Sequence, residues 1–378
     1  MSLLDGTPMS GDTQQAPVDG ASFGLGEQPL VDRIRRAGIA GAGGAGFPAY
    51  AKWKRIDEVD GLLLNHQESE PDFVKDRWIG REHAETLAAF CDAFLETVLD
   101  RVVIGTKEHY RGVWLGALEE ATDATVYEPE ELPIDDGETG IIVACTGDRY
   151  EYGMESVLLR TVADTVIGRD LPMDHGWIVQ NTETFYNIAL ALGDGKPVTH
   201  KLIHVDGDTP RHRFLRVPVG TPATELLAAA GRPGGPGSHE ILADGGPGWS
   251  FEIERDPDMF GVTKRTNCLL IIDETLAEDN RIGNGRINIL GPQAWKGRTL
   301  EDEPTGLEPD RVRIPLLSNP DYEGVADYAN PTVSPGDDVT VGDRIARPAE
   351  DAISNAHHAS IDGEVTAVTE HHVTIEGR

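Results

Sequence analysis

The chain has 378 residues, enough for two or three domains, and 39% of them are hydrophobic, ample for packed cores. Asp and Glu number 65 against 33 Lys and Arg, giving a formal charge of −32 spread along nearly the whole length, a field that excludes nucleic acid and anionic membrane as partners. No apolar run approaches the roughly 20 residues of a membrane span and the N-terminus lacks signal-peptide regions, so the expectation is a cytoplasmic protein without direct membrane insertion, at most peripheral to a membrane complex.

Eight of the basic residues are Lys and the rest Arg. An even acidic excess with Arg preferred fits a surface kept hydrated in concentrated salt, where screening makes carboxylate repulsion tolerable. A halophile's cytoplasm is the favoured source, and an acidic protein of an ordinary cytoplasm is the competing one. Cys91, Cys145 and Cys268 are far apart and form no C-x-x-C pair, so neither a zinc ribbon nor a local iron–sulfur site is written here.

Residues 1–28 are rich in Gly, Ser, Asp, Pro and Gln and predict a disordered leader. A helix is expected over Leu30–Arg36, ending at Gly38, and a glycine loop follows. Leu62–Leu64, Arg101–Gly105 and Ile141–Ala144 have the look of buried strands, with helices over Arg81–Val98, Tyr110–Thr122 and Tyr152–Val162. That alternation predicts an α/β layer domain over residues 29–197. Lys201–Asp208 and Phe214–Gly220 alternate as strands around a turn before a short helix at Ala223–Ala230, a pattern that fits a β-grasp module over residues 198–250. A connecting region is expected over 251–330. Val339–Asp343 and Ala359–Val365 then predict a small all-β sandwich over 331–378.

Two loops carry the chemistry. In Gly41-Ala42-Gly43-Gly44-Ala45-Gly46-Phe47-Pro48, four glycines in six positions let backbone approach a ligand, and amides feeding a helix start form an anion nest, with Lys52 adding charge. Taken alone, such a loop is as well read as a flexible linker. The second, Asn65-His66-Gln67-Glu68-Ser69-Glu70-Pro71 with Lys75-Asp76-Arg77, follows the Leu62–Leu64 strand, at the end of a strand where open α/β sheets bind ligands. Composition alone would make it a solvated loop. His357-His358 and His371-His372 are possible zinc ligands without supporting spacing, and no metal site is assigned. Cys145, at a strand end, reads as a buried small hydrophobe before it reads as a nucleophile.

Together the two loops resemble the flavin subunit of respiratory complex I and its relative, the C subunit of the Rnf electron-transport complex. The family loop G-x-G-G-A-G-F-P-x-x-x-K-W is matched from Gly41 to Trp53, and N-x-D-E-S-E-P-x-x-x-K-D-R from Asn65 to Arg77 with Gln67 in place of Asp. A looser match to N-V-E-T-x-x-N lies at Gln180–Asn187. The resemblance spans about residues 30 to 250 and implies a Rossmann-like FMN-binding layer domain followed by a β-grasp module of the soluble-ligand-binding kind. It implies FMN phosphate on Gly41, Gly43, Gly44, Gly46 and Lys52, ribityl and ring contacts from Asn65, Glu68 and Ser69, and Asn181 and Thr184 closing the other side. Phe47 and Glu70 would receive NAD(P)H, together with Glu155, the remaining acid of a G-E-E-T motif that here reads Gly153-Met154-Glu155-Ser156.

The aromatic dinucleotide-gripping loop of the family is replaced by Asp170–Asp174, and its cysteine-rich cluster motifs are not matched. The C-terminal segment resembles the barrel-sandwich hybrid of the Rnf subunit, placed last as in the cobalamin reductase of propanediol-utilising compartments. The implied activity is that of a flavoprotein oxidoreductase of NADH dehydrogenase type, without an iron–sulfur cluster of its own, passing electrons to an iron–sulfur or corrinoid protein. A non-catalytic scaffold and a corrinoid reductase are the alternatives.

Overall fold

Apolar runs without polar alternation become strands buried on both faces. In the computed structural model, which describes residues 30–378 except 293, 294, 296 and 320–322, five such strands form an all-parallel sheet. The expected leader lies outside the described residues. The strands are β1 (Gly61–His66), β2 (Arg101–Lys107), β3 (Thr125–Tyr127), β4 (Gly140–Thr146) and β5 (Trp177–Asn181), in the order β3-β4-β2-β1-β5. Their helices are α1 (Leu30–Arg36), α2 (Tyr50–Trp53), α3 (Lys75–Glu82), α4 (Ala84–Leu95), α5 (Gly116–Thr122), α6 (Glu155–Ala163) and α7 (Thr182–Gly193).

The period of two along a strand assigns the faces. Leu62, Leu64, Val102, Ile104 and Val143 pack with Leu87 and Phe90 of α4 and Phe185 and Ile188 of α7. Leu63, Val103 and Ile142 point the other way, onto Leu158, Leu159 and Val162 of α6. From β1 the chain runs to β2 and on to the edge as β3, comes back between them as β4, and crosses to the opposite side of β1 for β5. Strand order therefore reverses at β1, and the crevice beyond the carboxyl ends of β1 and β5 is the position where such sheets bind ligands.

The helix expected over Arg81–Val98 is two helices. The break falls at His83, which leaves helical geometry and stacks on Tyr186 with ring centroids 4.4 Å apart. The helix expected from Tyr110 begins with a 3-10 turn and a π-turn before α5.

A second sheet contains β6 (His200–Gly207), β7 (Arg213–Pro218), β8 (Glu240–Gly246), β9 (Trp249–Glu252), β10 (Cys268–Asp273), β11 (Arg281–Ile282), β12 (Arg286–Ile287) and β13 (Thr305–Gly306), with α8 (Ala223–Ala229) and α9 (Glu274–Asp279). Its centre runs β7-β6-β10-β8, with β10 parallel to β6 and antiparallel to β8, the β-grasp arrangement. This corrects the boundary at residue 250. The strand that completes the sheet, Cys268–Asp273, comes from the region expected to be a connector; its apolar run Cys268–Ile272 was as legible as those of β1 and β4, and only its pairing with the distant β6 was not.

The C-terminal module is two sheets, β14-β20-β19-β16 and β15-β17-β18, built from β14 (Arg311–Pro315), β15 (Asn330–Pro331), β16 (Asp338–Val339), β17 (Arg344–Arg347), β18 (His357–His358), β19 (Gly363–Val368) and β20 (His372–Gly377). It begins with β14, ahead of the expected boundary at 331. Thr340–Asp343 is a turn rather than strand, closed by the Asp343 carboxylate accepting from the Thr340 amide at 2.8 Å.

This module is fastened to the first domain. The Arg35 guanidinium donates to the carbonyls of Ala349 (2.8 Å), Ala352 (3.1 Å) and Ser354 (3.1 Å), and the buried Lys264 ammonium donates to those of Gly38 (2.6 Å) and Ala356 (2.9 Å). Among the described residues no helix is long and apolar enough to cross a membrane.

Candidate functional site

The two expected loops meet at the β1–β5 crevice. The glycine loop is a tight hairpin: Ala40 bridges Pro48, the Gly41 amide donates to the Phe47 carbonyl and the Gly46 amide to the Gly41 carbonyl, each at 2.8 Å. Its tip is fixed by the Ala42 amide, which donates to Thr184 Oγ at 2.8 Å. The amides of Gly43, Gly44 and Ala45 donate to no described residue, and Gly43 lies against Asn181, the N-cap of α7. A Cβ on Gly43 would stand 3.1 Å from Asn181 Cβ, and Gly44 and Gly46 have φ of +102° and +68°, so the cradle depends on glycine. Successive free amides on a glycine turn form an anion-binding nest.

Asn181 ties this end to a buried polar cluster. Its Oδ1 accepts from the Thr184 amide at 3.3 Å and its Nδ2 donates to Asp76 Oδ2 at 2.7 Å. Lys75 pairs with Asp76 at 2.9 Å and with Glu183 at 3.1 Å, and Lys201 of the β-grasp sheet pairs with Glu183 at 2.5 Å while donating to Asn267 Oδ1 at 2.7 Å. All four ionised side chains are at most 5% exposed. Burial would lower the Lys75 ammonium, but Asp76 and Glu183 hold it above its ordinary value. Lys201 is pushed down to about 8, burial outweighing the pull of Glu183.

Sequence reasoning assigned no role to Lys201, Glu183 or Asn267. A signal was available in the rarity of lysine, since a chain that has shed most of its lysines retains this one with its ammonium buried.

At the other end, Asn65 braces the loop after β1: its Oδ1 accepts from the Gln67 amide at 3.2 Å and its Nδ2 donates to the Gly153 carbonyl at 2.9 Å. Ser69 Oγ is buried and has no hydrogen-bond partner, and a Cβ on Gly153 would lie 2.1 Å from it. Lys52, behind the glycine loop, donates to Glu155 at 2.6 Å and to the Val179 carbonyl at 3.2 Å. The charge of Lys52 is thus shared with Glu155, so the expected phosphate ligand and the expected dinucleotide ligand form one pair. Phe47 is half-buried at the base of the hairpin.

Two expected ligands have other work. Glu68, at φ 43°, has a fully buried carboxylate that accepts from the amides of Asp76 (2.9 Å) and Arg77 (3.2 Å) and from Arg77 Nε (2.8 Å). It holds the start of α3 and presents no free oxygen to the crevice, a correction to its assignment as a ribityl or ring ligand. Glu70 accepts from the Tyr150 hydroxyl at 2.7 Å and from the Gly248 amide at 2.8 Å, and burial pushes it up to about 6 against those two bonds. Neither Tyr150 nor the β8–β9 turn was expected at the site.

Cys91, Cys145 and Cys268 are free and buried, and burial pushes the Cys145 thiol up to about 12, so it is no nucleophile. Among the described residues no group of three or more His, Cys, Asp and Glu is placed to hold a metal ion.

Residues 34–190 match the Nuo51 FMN-binding domain and residues 307–378 match the RnfC barrel sandwich hybrid domain. The chain is 31% identical over 254 residues to the C subunit of the ion-translocating oxidoreductase complex from Edwardsiella ictaluri, covering 64% of this chain and 28% of that protein. It is 30% identical over 263 residues to the cobalamin reductase PduS of Salmonella typhimurium, covering 68% of this chain and 53% of the reductase. The chain therefore spans about half or less of the length of these relatives. Among solved structures it is similar to a chain of an NAD+-reducing [NiFe]-hydrogenase, with a TM-score of 0.52 and 20% identity over 69% of this chain and 50% of that one, a likeness of fold.

Proposed function

Residues 34–190 belong to the Nuo51 FMN-binding domain family and residues 307–378 to the RnfC barrel-sandwich hybrid family, and from that premise we propose that the protein is an FMN-bearing electron-transfer subunit that accepts hydride from NAD(P)H. The observation that carries the reading is the glycine hairpin laid on Asn181 and Thr184 at the start of α7, with three free amides and the switch point of the sheet beside it. FMN, when bound, would supply the acceptor for one hydride and release its two electrons singly.

The residues present fit that group. Amides of Gly43, Gly44 and Ala45 would hold its phosphate, with Lys52 supplying positive charge half-shared with Glu155. The unpartnered Ser69 Oγ and the second N–H of Asn65 are available to hydroxyls or ring atoms. Glu68 positions rather than binds, fixing the Glu68–Arg77 segment onto α3. Glu70, with both oxygens engaged, holds Tyr150 and the β8–β9 turn beside the crevice.

The three thiols are separate and buried, so no cluster is proposed within these residues, and electrons pass to a partner carrying iron–sulfur clusters or a corrinoid.

Purification in molar KCl, which also tests the halophilic reading, followed by anaerobic addition of NADH, examines the proposal. Bands at about 370 and 450 nm that bleach on addition are the expected result. A colourless protein that takes up no added FMN would leave a non-catalytic docking scaffold as the better account.

A further inference from the structure

The turn between β8 and β9 is locked onto the site. Its Gly248 amide donates to Glu70 at 2.8 Å, a Cβ on Gly246 would lie 2.5 Å from Glu70 Cδ, and a Cβ on Gly248 would lie 2.5 Å from the Tyr150 ring. The next residue, Trp249, is therefore held at the Glu70 end of the crevice, yet its side chain turns outward and the residue is 48% exposed. The Arg286 guanidinium lies over its ring, 4.2 Å from the centroid.

A single exposed aromatic is ordinary on a protein surface. Three features set this one apart. Arg286 is half-buried, its Nε is buried without a hydrogen-bond partner, and it makes no ion pair among the described residues of a chain with 65 acidic residues. Arg286 also lies close enough to Glu70 and Tyr150 to act on the charge of both. Finally, an anionic dinucleotide approaching a protein of charge −32 needs a local cation, and Lys52 is already paired with Glu155.

We propose that Trp249 and Arg286 seat the adenylate half of the nicotinamide dinucleotide, the indole stacking on adenine and the guanidinium holding a phosphate. The inference rests on the hydride-accepting reading above. It gives the β-grasp module the gripping task for which Asp170–Asp174 offers no aromatic side chain. Aromatic stacking beside a guanidinium is a strong, compact way to hold a base and its phosphate together.

The test uses the full chain with FMN bound, in molar KCl. Binding of ADP-ribose is read by isothermal titration calorimetry, which does not depend on Trp249 as a reporter, and anaerobic flavin bleaching is followed against NADH concentration. Arg286→Gln and Trp249→Ala are each expected to raise the ADP-ribose Kd and the NADH KM about tenfold, with kcat within about twofold and FMN content unchanged. Trp249→Phe should restore most of the loss, because a smaller ring still stacks.

Variants that bind ADP-ribose as wild type does, while NADH bleaches the wild-type flavin, would overturn this seat and leave the hydride reading standing. ADP-ribose binding that the variants lose, without bleaching in any protein, would support the seat and remove the hydride reading. Failure of wild type both to bind ADP-ribose and to bleach would remove both.

Discussion

Glu183→Gln keeps the shape of the side chain and removes the charge that two buried ammoniums share, Lys75 at 3.1 Å and Lys201 at 2.5 Å. Lys201 is lowered from 10.5 to about 8 by burial, even with Glu183 beside it, so its charged form already costs the folded protein about 3 kcal/mol at pH 7. Removing Glu183 leaves more of that desolvation uncompensated, and the variant is expected about 3–5 kcal/mol below wild type. The pH dependence has a fixed sign. Because the folded value lies below the unfolded one, the unfolded chain holds more protons between about 8 and 10.5, and this group makes stability rise with pH through that window. In the variant the window opens lower and the rise is larger.

Urea unfolding in molar KCl, followed by circular dichroism from pH 7 to pH 10, measures both effects. A second variant, Glu183→Gln with Lys201→Met, should recover most of the loss, because Lys75 keeps Asp76 at 2.9 Å. A single variant within about 0.5 kcal/mol of wild type at pH 7 would refute the claim that these charges are desolvated together.

Gly43→Ala places a methyl 3.1 Å from Asn181 Cβ and should weaken FMN binding about tenfold or more with the circular dichroism spectrum unchanged, as read by flavin fluorescence titration; unchanged affinity would count against the cradle. Glu70 is held at about 6 against an ordinary 4.5, so the folded protein keeps an extra proton across that range and stability falls by about 2 kcal/mol as pH rises through it. Glu70→Gln should abolish that fall, whatever it does to absolute stability. Arg35→Ala removes three charge-assisted bonds to the C-terminal module and should cost about 2 kcal/mol, seen as earlier proteolytic cleavage between the modules.

What the sequence made legible follows from the range of the forces involved. Leu62–Leu64, Arg101–Gly105 and Ile141–Ala144 announce β1, β2 and β4 because strands buried on both faces need unbroken apolar runs. The first helix, Leu30–Arg36, was legible to the residue. By contrast, α3 begins at Lys75 and Asp76, two buried charges that local pattern assigns to the surface, and its start is set by Glu68 and Glu183 from other elements. The same non-locality hid the pairing of β10 with β6 and of β14 with β20, although the apolar run Cys268–Ile272 itself reads as a strand.

At the site, the fold brings the motif glycines against Asn181 and Thr184, residues that only the family resemblance had linked to them. The engagement of Glu68 and Glu70 could not be read, because their partners Arg77, Tyr150 and Gly248 are defined only by the fold.

The distribution of lysine has a practical consequence for finding the partner. Lys75, Lys107, Lys201 and Lys264 are buried, and Lys52 is paired with Glu155, which leaves Lys54 and Lys196 as the openly exposed amines among the described residues. Among the described residues, amine-reactive cross-linkers would map contacts mainly around those two positions. Chemistry directed at carboxylates, of which the chain has 65, would cover the faces that the proposed electron-accepting partner would touch.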